Sequence, residues 1–114
     1  MFNYKLLDES KVDYYDVGSA DLPPGERIFL EIDGRQIVVF NIAGQYFAIG
    51  DICSHDEGPL GDGLLEEFHI ICPRHGAEFD VRNGKAMMMP AVVDIPSYPI
   101  KIMDGNIFIG IPKN

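Results

Sequence analysis

An all-β fold, an antiparallel sandwich or barrel, is predicted for this chain by three observations. Short β-rich runs recur along it, turn pairs separate them, and 12 glycines and eight prolines in 114 residues leave little room for a long helix. Arg27-Ile28-Phe29-Leu30-Glu31-Ile32 reads as the first strand, and Asp33-Gly34 as the hairpin turn after it. Gln36 to Ile42 returns as a second, almost continuously apolar strand. Gly44-Gln45 reads as the next turn, followed by a strand at Tyr46-Phe47-Ala48-Ile49. Phe68 to Ile71 and Glu78 to Val81 follow, with a turn at Asn83-Gly84. A last hairpin across Asp104-Gly105 joins Ile100-Lys101-Ile102 to Ile107-Phe108-Ile109. Ser19 to Glu26 has room for one helical turn, which Pro23-Pro24 would end.

No repeat, low-complexity block or linker divides the chain, so residues 1–114 are expected to form one domain. A composition 46% hydrophobic and 24% charged supports a packed core and argues against disorder. Nine basic residues stand against 18 acidic ones, for a formal charge of −9. Such a surface repels phosphate backbones and anionic lipid, which disfavours nucleic-acid or membrane partners. No apolar run approaches the roughly 20 residues of a membrane helix. The N-terminal MFNYKLLDES has no basic segment followed by an apolar one, so a cytoplasmic location is expected.

Two segments do not resemble hairpin loops. Cys53 to Gly63 carries a Cys, a His, a Pro and three glycines, and Pro73 to Gly76 is bracketed by Cys72 and His75. The only two cysteines are thus each followed by a histidine, in the pattern C-x-H, sixteen residues, C-x-x-H. With three histidines in the chain, chance places one behind both cysteines well under about 1% of the time. Soft thiolates and imidazoles converging from two loops point to a transition metal. One zinc with two Cys and two His is chemically reasonable, although zinc fingers group like ligands together. A thiolate and an imidazole from each loop also suit a two-iron cluster, with the cysteines on one iron and the histidines on the other. The plain alternative is a pair of buried thiols with incidental histidines. A structural disulfide has little place in a cytosolic chain with two cysteines.

Cys53-Ser54-His55 with Gly58-Pro59-Leu60, and Cys72-Pro73-Arg74-His75-Gly76, resemble the paired boxes of Rieske [2Fe–2S] proteins. The likeness continues through Ala77-Glu78-Phe79-Asp80 and Asn83-Gly84-Lys85-Ala86, a run typical of soluble Rieske-type ferredoxins. Upstream it includes Ala20-Asp21-Leu22 and Pro24-Gly25-Glu26, so that it spans about Tyr15 to Ile111. The resemblance implies an antiparallel β domain with a small cluster-binding subdomain, here approximately residues 51–90. It implies a [2Fe–2S] cofactor with Cys53 and Cys72 on the buried iron and His55 and His75 on the outer one. It also implies a third, proline-containing loop over the cluster, matched by Met88-Met89-Pro90.

The boxes depart from those of respiratory and photosynthetic Rieske proteins at four places. Those proteins bridge the two loops with a disulfide, at positions matched here by Gly58 and Arg74. They also direct a Ser and a Tyr hydroxyl at the cluster sulfurs, where this chain has Ala77 and Phe79. Reduction adds negative charge, so such donors favour the reduced form. At about 1–2 kcal/mol each, losing both lowers the potential by roughly 100–180 mV. The acidic surface acts in the same direction, weakened by screening. A potential at the lower end of the Rieske range, about −150 to +300 mV, is expected. That suits an electron carrier and does not suit quinol oxidation. Loss of the remaining imidazole protons implies a potential that falls at high pH.

The remaining polar and soft residues have simpler readings. His69 reads as a surface strand histidine, and Met87-Met88-Met89 as packing over the cluster or an apolar docking rim. Asp56-Glu57, beside His55, is placed to steer a basic partner, and Arg74 to pair with a partner carboxylate or sit in water.

No catalytic residue is identified, and the chain lacks the length for an oxygenase domain. The leading expectation is therefore an electron-transfer ferredoxin, monomeric, serving a flavin- or pyridine-nucleotide-dependent reductase and a terminal oxygenase or similar acceptor. The alternatives are the small subunit of a nitrite-reductase-like complex and a structural zinc-binding interaction module.

Overall fold

The structure, a computed structural model, describes residues 3–54, 58–74, 76–89 and 93–113. Eleven strands are present among them: β1 (Val12–Ser19), β2 (Arg27–Ile32), β3 (Arg35–Ile42), β4 (Gln45–Gly50), β5 (Leu64–Glu66), β6 (His69–Ile71), β7 (Glu78–Asp80), β8 (Ala86–Met88), β9 (Ser97–Tyr98), β10 (Ile100–Met103) and β11 (Asn106–Pro112). Two single 3-10 turns, at Tyr4–Leu6 and Glu9–Lys11, precede them. All strand pairing within the sheets is antiparallel, in three sheets ordered β1-β11-β10, β2-β3-β4-β9 and β5-β6-β7-β8. The all-β fold class is as expected. No helix among the described residues is long and apolar enough to cross a membrane.

The β2-β3-β4-β9 sheet is the shared wall of two cores, and β3 shows why its sequence is continuously apolar. Ile37 and Val39 point into one core with Ala48, Tyr98, Ile107, Ile109 and Ile111. Val38 and Phe40 point the opposite way, into a second core with Ile49, Leu60, Ile70 and Phe79. All four β3 side chains are fully buried. Adjacent residues point to opposite faces of a strand, so burial on both faces demands an unbroken apolar run. The second core contains Cys53 and Cys72 as well.

Three local expectations change. The β3–β4 turn is Ala43-Gly44, not Gly44-Gln45: both have positive φ (53° and 90°), and Ile42 pairs with Gln45. Asn41, which is buried, supports that turn by accepting a hydrogen bond from the Gly44 N–H at 2.8 Å. Ser19 to Glu26 forms no helical turn. Its leading part is drawn out by the two prolines and held by the Asn41 side chain, whose Nδ2 donates to the Leu22 carbonyl at 2.6 Å. Phe68 belongs to a β5–β6 turn and not to β6, because Glu67 adopts a left-handed conformation (φ 52°) and lets Glu66 pair with His69.

Candidate metal centre

Two loops leave the second core and return to it. The first starts after β4 and carries Cys53, with Leu60 and Gly61 buried at its far end. Asp51 closes it: one carboxylate oxygen accepts from the N–H of Leu60 (3.0 Å) and of Gly61 (2.6 Å). Cys53 N–H donates to the Gly58 carbonyl at 2.8 Å. From the neighbouring sheet the Arg27 guanidinium donates to the carbonyls of Gly61 (2.5 Å) and Gly63 (2.8 Å).

The second loop joins β6 to β7. Cys72 N–H donates to the Ala77 carbonyl (2.7 Å) and Gly76 N–H returns to the Cys72 carbonyl (3.1 Å), making a tight turn between the antiparallel strands. The loops meet at their bases, where Gly63 packs on the Ile71 carbonyl and the Pro73 ring.

Cys53 and Cys72 are 0% and 1% exposed and belong to one core cluster with Ala77, Phe79 and Leu60. Two buried thiols opening two abutting loops are a soft donor set shielded from water, and such a set fits iron held by thiolate. His55 and His75, together with Asp56, Glu57 and Pro90, lie outside the described residues. Of the neighbouring positions, Ala77 and Phe79 are fully buried and bring no hydroxyl to the thiols.

Comparison with known proteins shows the family. A family model described as the Rieske [2Fe–2S] domain matches residues 13–99. The chain belongs to the Rieske [2Fe–2S] family. Its cofactor is a [2Fe–2S] cluster of the Rieske type, and its chemistry is one-electron transfer. The 3-phenylpropionate/cinnamic acid dioxygenase ferredoxin subunit of Escherichia coli (strain K12) is 38% identical over 96 residues, covering 82% of this chain and 89% of that protein. Among solved structures, the ferredoxin of carbazole 1,9a-dioxygenase from Nocardioides aromaticivorans IC177 superposes with a TM-score of 0.77 at 30% identity, covering 86% of this chain and 98% of the other. A ferredoxin in a complex of reduced oxygenase and oxidized ferredoxin of carbazole 1,9a-dioxygenase gives a TM-score of 0.81 at 26% identity, with coverages of 89% and 95%.

Side chains outside the cysteine–histidine pairs support these loops. Asp51 and Arg27 hold the first loop, as described. The Ser54 hydroxyl donates to the Val93 carbonyl and ties that loop to the segment entering β9. Asp80, 4% exposed, closes the β7–β8 turn by accepting from the N–H of Arg82 (2.9 Å) and from its guanidinium (3.0 and 2.8 Å). Burial works to raise the Asp80 pKa, but the Arg82 hydrogen bonds and charge outweigh it and hold the carboxyl below its usual range.

The remaining candidates resolve as follows. His69 is a half-exposed strand histidine, as expected, with Nδ1 3.4 Å from Glu78. Met87, Met88 and Met89 are 47%, 55% and 72% exposed, so they are not packed into either core. Arg74 lies against Gly58 of the opposite loop.

Proposed function

We propose that this Rieske ferredoxin carries single electrons from a flavin- or pyridine-nucleotide-dependent reductase to the terminal oxygenase of an aromatic-ring dioxygenase system. Cys53 and Cys72 hold the inner iron, and His55 and His75 the outer one. Residues 51–90 form the cluster-binding part of a single domain. The observation that carries this reading is the pair of fully buried thiols opening two abutting loops, each loop with a histidine two or three residues further on. The relatives' descriptions as dioxygenase ferredoxins support the choice of partners.

A bound cluster supplies reversible one-electron chemistry; the chain supplies the surroundings that set its potential. Apolar neighbours exclude water from the thiolates, Ala77 and Phe79 offer no hydroxyl donors, and the formal charge of −9 disfavours the added electron. Together these support a potential at the low end of the Rieske range. The same acidic surface suits partners with basic docking faces and a monomer that meets them in turn, in the cytoplasm.

The deciding experiment is the EPR spectrum of anaerobically purified, dithionite-reduced protein with its iron and zinc content. A rhombic signal with the low average g value of histidine-ligated clusters is expected. An all-cysteinyl signal, or zinc without iron, overturns the ligand assignment.

A further inference from the structure

Gly58 and Arg74 occupy the two positions at which the disulfide-bridged Rieske proteins carry their extra cysteines. A methyl carbon built on Gly58 would lie 2.8 Å from both Cζ and Nη2 of Arg74 and 3.0 Å from Nε. Within the guanidinium these atoms are about 1.3 Å from the central carbon. A point at the rim of that plane would be clearly nearer the nitrogens than the carbon. Near-equal distances therefore put that point, one bond from Gly58 Cα, over the flat face of the group.

Gly58 is half-buried, and its carbonyl already receives the Cys53 N–H. Arg74 is two residues beyond Cys72 on the other loop. The contact therefore spans the two loops, between Cys53 and Gly63 on the first and beyond Cys72 from Ile71 on the second. A planar, weakly hydrated cation can lie flat on backbone while its edge stays open to other groups, which an ammonium cannot do.

We propose that Arg74 is a positioning residue: its guanidinium face, seated on Gly58, clasps the two cluster loops together without a covalent bond. The clasp rests on the proposed assignment of these loops to the cluster. Gly58 is required because any side chain there displaces the guanidinium. The clasp slows opening of the loops and hence loss of metal, and it narrows the range of cluster geometries.

The test uses the full-length holoprotein and the variants Arg74→Ala, Arg74→Lys, Gly58→Ala and the double variant Gly58→Ala/Arg74→Ala. Metal release to excess chelator is followed by visible absorbance, beside EPR linewidth. Arg74→Ala and Gly58→Ala are each expected to release metal about tenfold faster than wild type, with the double variant no faster than either. Arg74→Lys should behave like Arg74→Ala, and both should broaden the EPR signal at unchanged average g. Wild-type release in Arg74→Ala, full rescue by Lys, or a double variant about a hundredfold faster overturns the clasp. Should Gly58→Ala fail to fold, the Arg74 pair decides alone through release rate and linewidth. A wrong ligand assignment appears in the wild-type spectrum, whereas a wrong clasp appears in the ratio of variant to wild-type release.

Discussion

Gly63 presses against the backbone of Ile71 so closely that a Cβ on it would lie 1.9 Å from the Ile71 carbonyl oxygen. The neighbour is main chain of β6, which cannot rotate away as a side chain would. Gly63→Ala must therefore separate the first loop from the second at their shared base, at a cost of about 3 kcal/mol or more. Gly34→Ala is the contrasting variant: its φ is positive (78°), which that of Gly63 is not, but nothing lies within 4 Å, so only the backbone strain of about 1–2 kcal/mol applies. Urea midpoints of the two variants should fall in that order.

Asp51 serves two buried amides with one carboxylate oxygen. Asp51→Ala leaves the N–H groups of Leu60 and Gly61 without that acceptor, and a loss of about 2–4 kcal/mol is expected. Asp51→Asn keeps an oxygen in place and should lose less than half as much. Thermal unfolding with the cluster loaded distinguishes the two.

Acid should weaken the β7–β8 turn through Asp80. Its carboxyl is held below the usual range in the folded chain, so the unfolded chain binds its proton more readily. The resulting stability is fully present above the ordinary Asp value of about 3.9 and is lost as pH falls through the lower folded value. Asp80→Asn should flatten this part of the stability profile, measured by denaturation between pH 2 and 6 (roughly the range in which Asp titrates). A variant whose acid profile matches wild type would remove Asp80 from the account.

Ala77 and Phe79 are expected to influence the potential by what they lack. Both are buried in the core that contains the two cysteines. Ala77→Ser and Phe79→Tyr should each raise the reduction potential by about 50–90 mV if the new hydroxyl reaches a cluster sulfur. Film voltammetry reads this directly, and an unchanged potential in both would show that neither position addresses the cluster.

Strands with strong local signals were legible: β2, β3, β4, β10 and β11 match apolar runs separated by Asp-Gly or other Gly-containing turns. Strand β1 was not, because VDYYDVGS has only one fully buried side chain and is held by pairing with β11, near the other end of the chain. The β5–β6 hairpin was hidden for another reason. Asp33, Ala43 and Asp104 are left-handed turn residues followed by glycine, whereas Glu67 takes the same conformation with no glycine after it. Nothing local marks that turn; the strand read from Phe68 to Ile71 is present, but its start at His69 is set by pairing with Glu66 and Asp80.

The functional site divides along the same line. Metal chemistry is a matter of residue type and spacing, so two Cys-His pairs sixteen residues apart suffice to indicate a metal centre and, through their boxes, its family. Which backbone groups need support is a matter of distance between segments far apart in the chain. Arg27 reaching Gly61 and Gly63, Ser54 reaching Val93, and Arg74 lying on Gly58 exist only once the sheets have brought those segments together. Residue types, spacing and periodicity were enough for the family and the all-β scaffold, because both follow from local chemistry. The tertiary structure alone decided how the loops are held, because a hydrogen bond or a close approach depends on position in space and not on order along the chain.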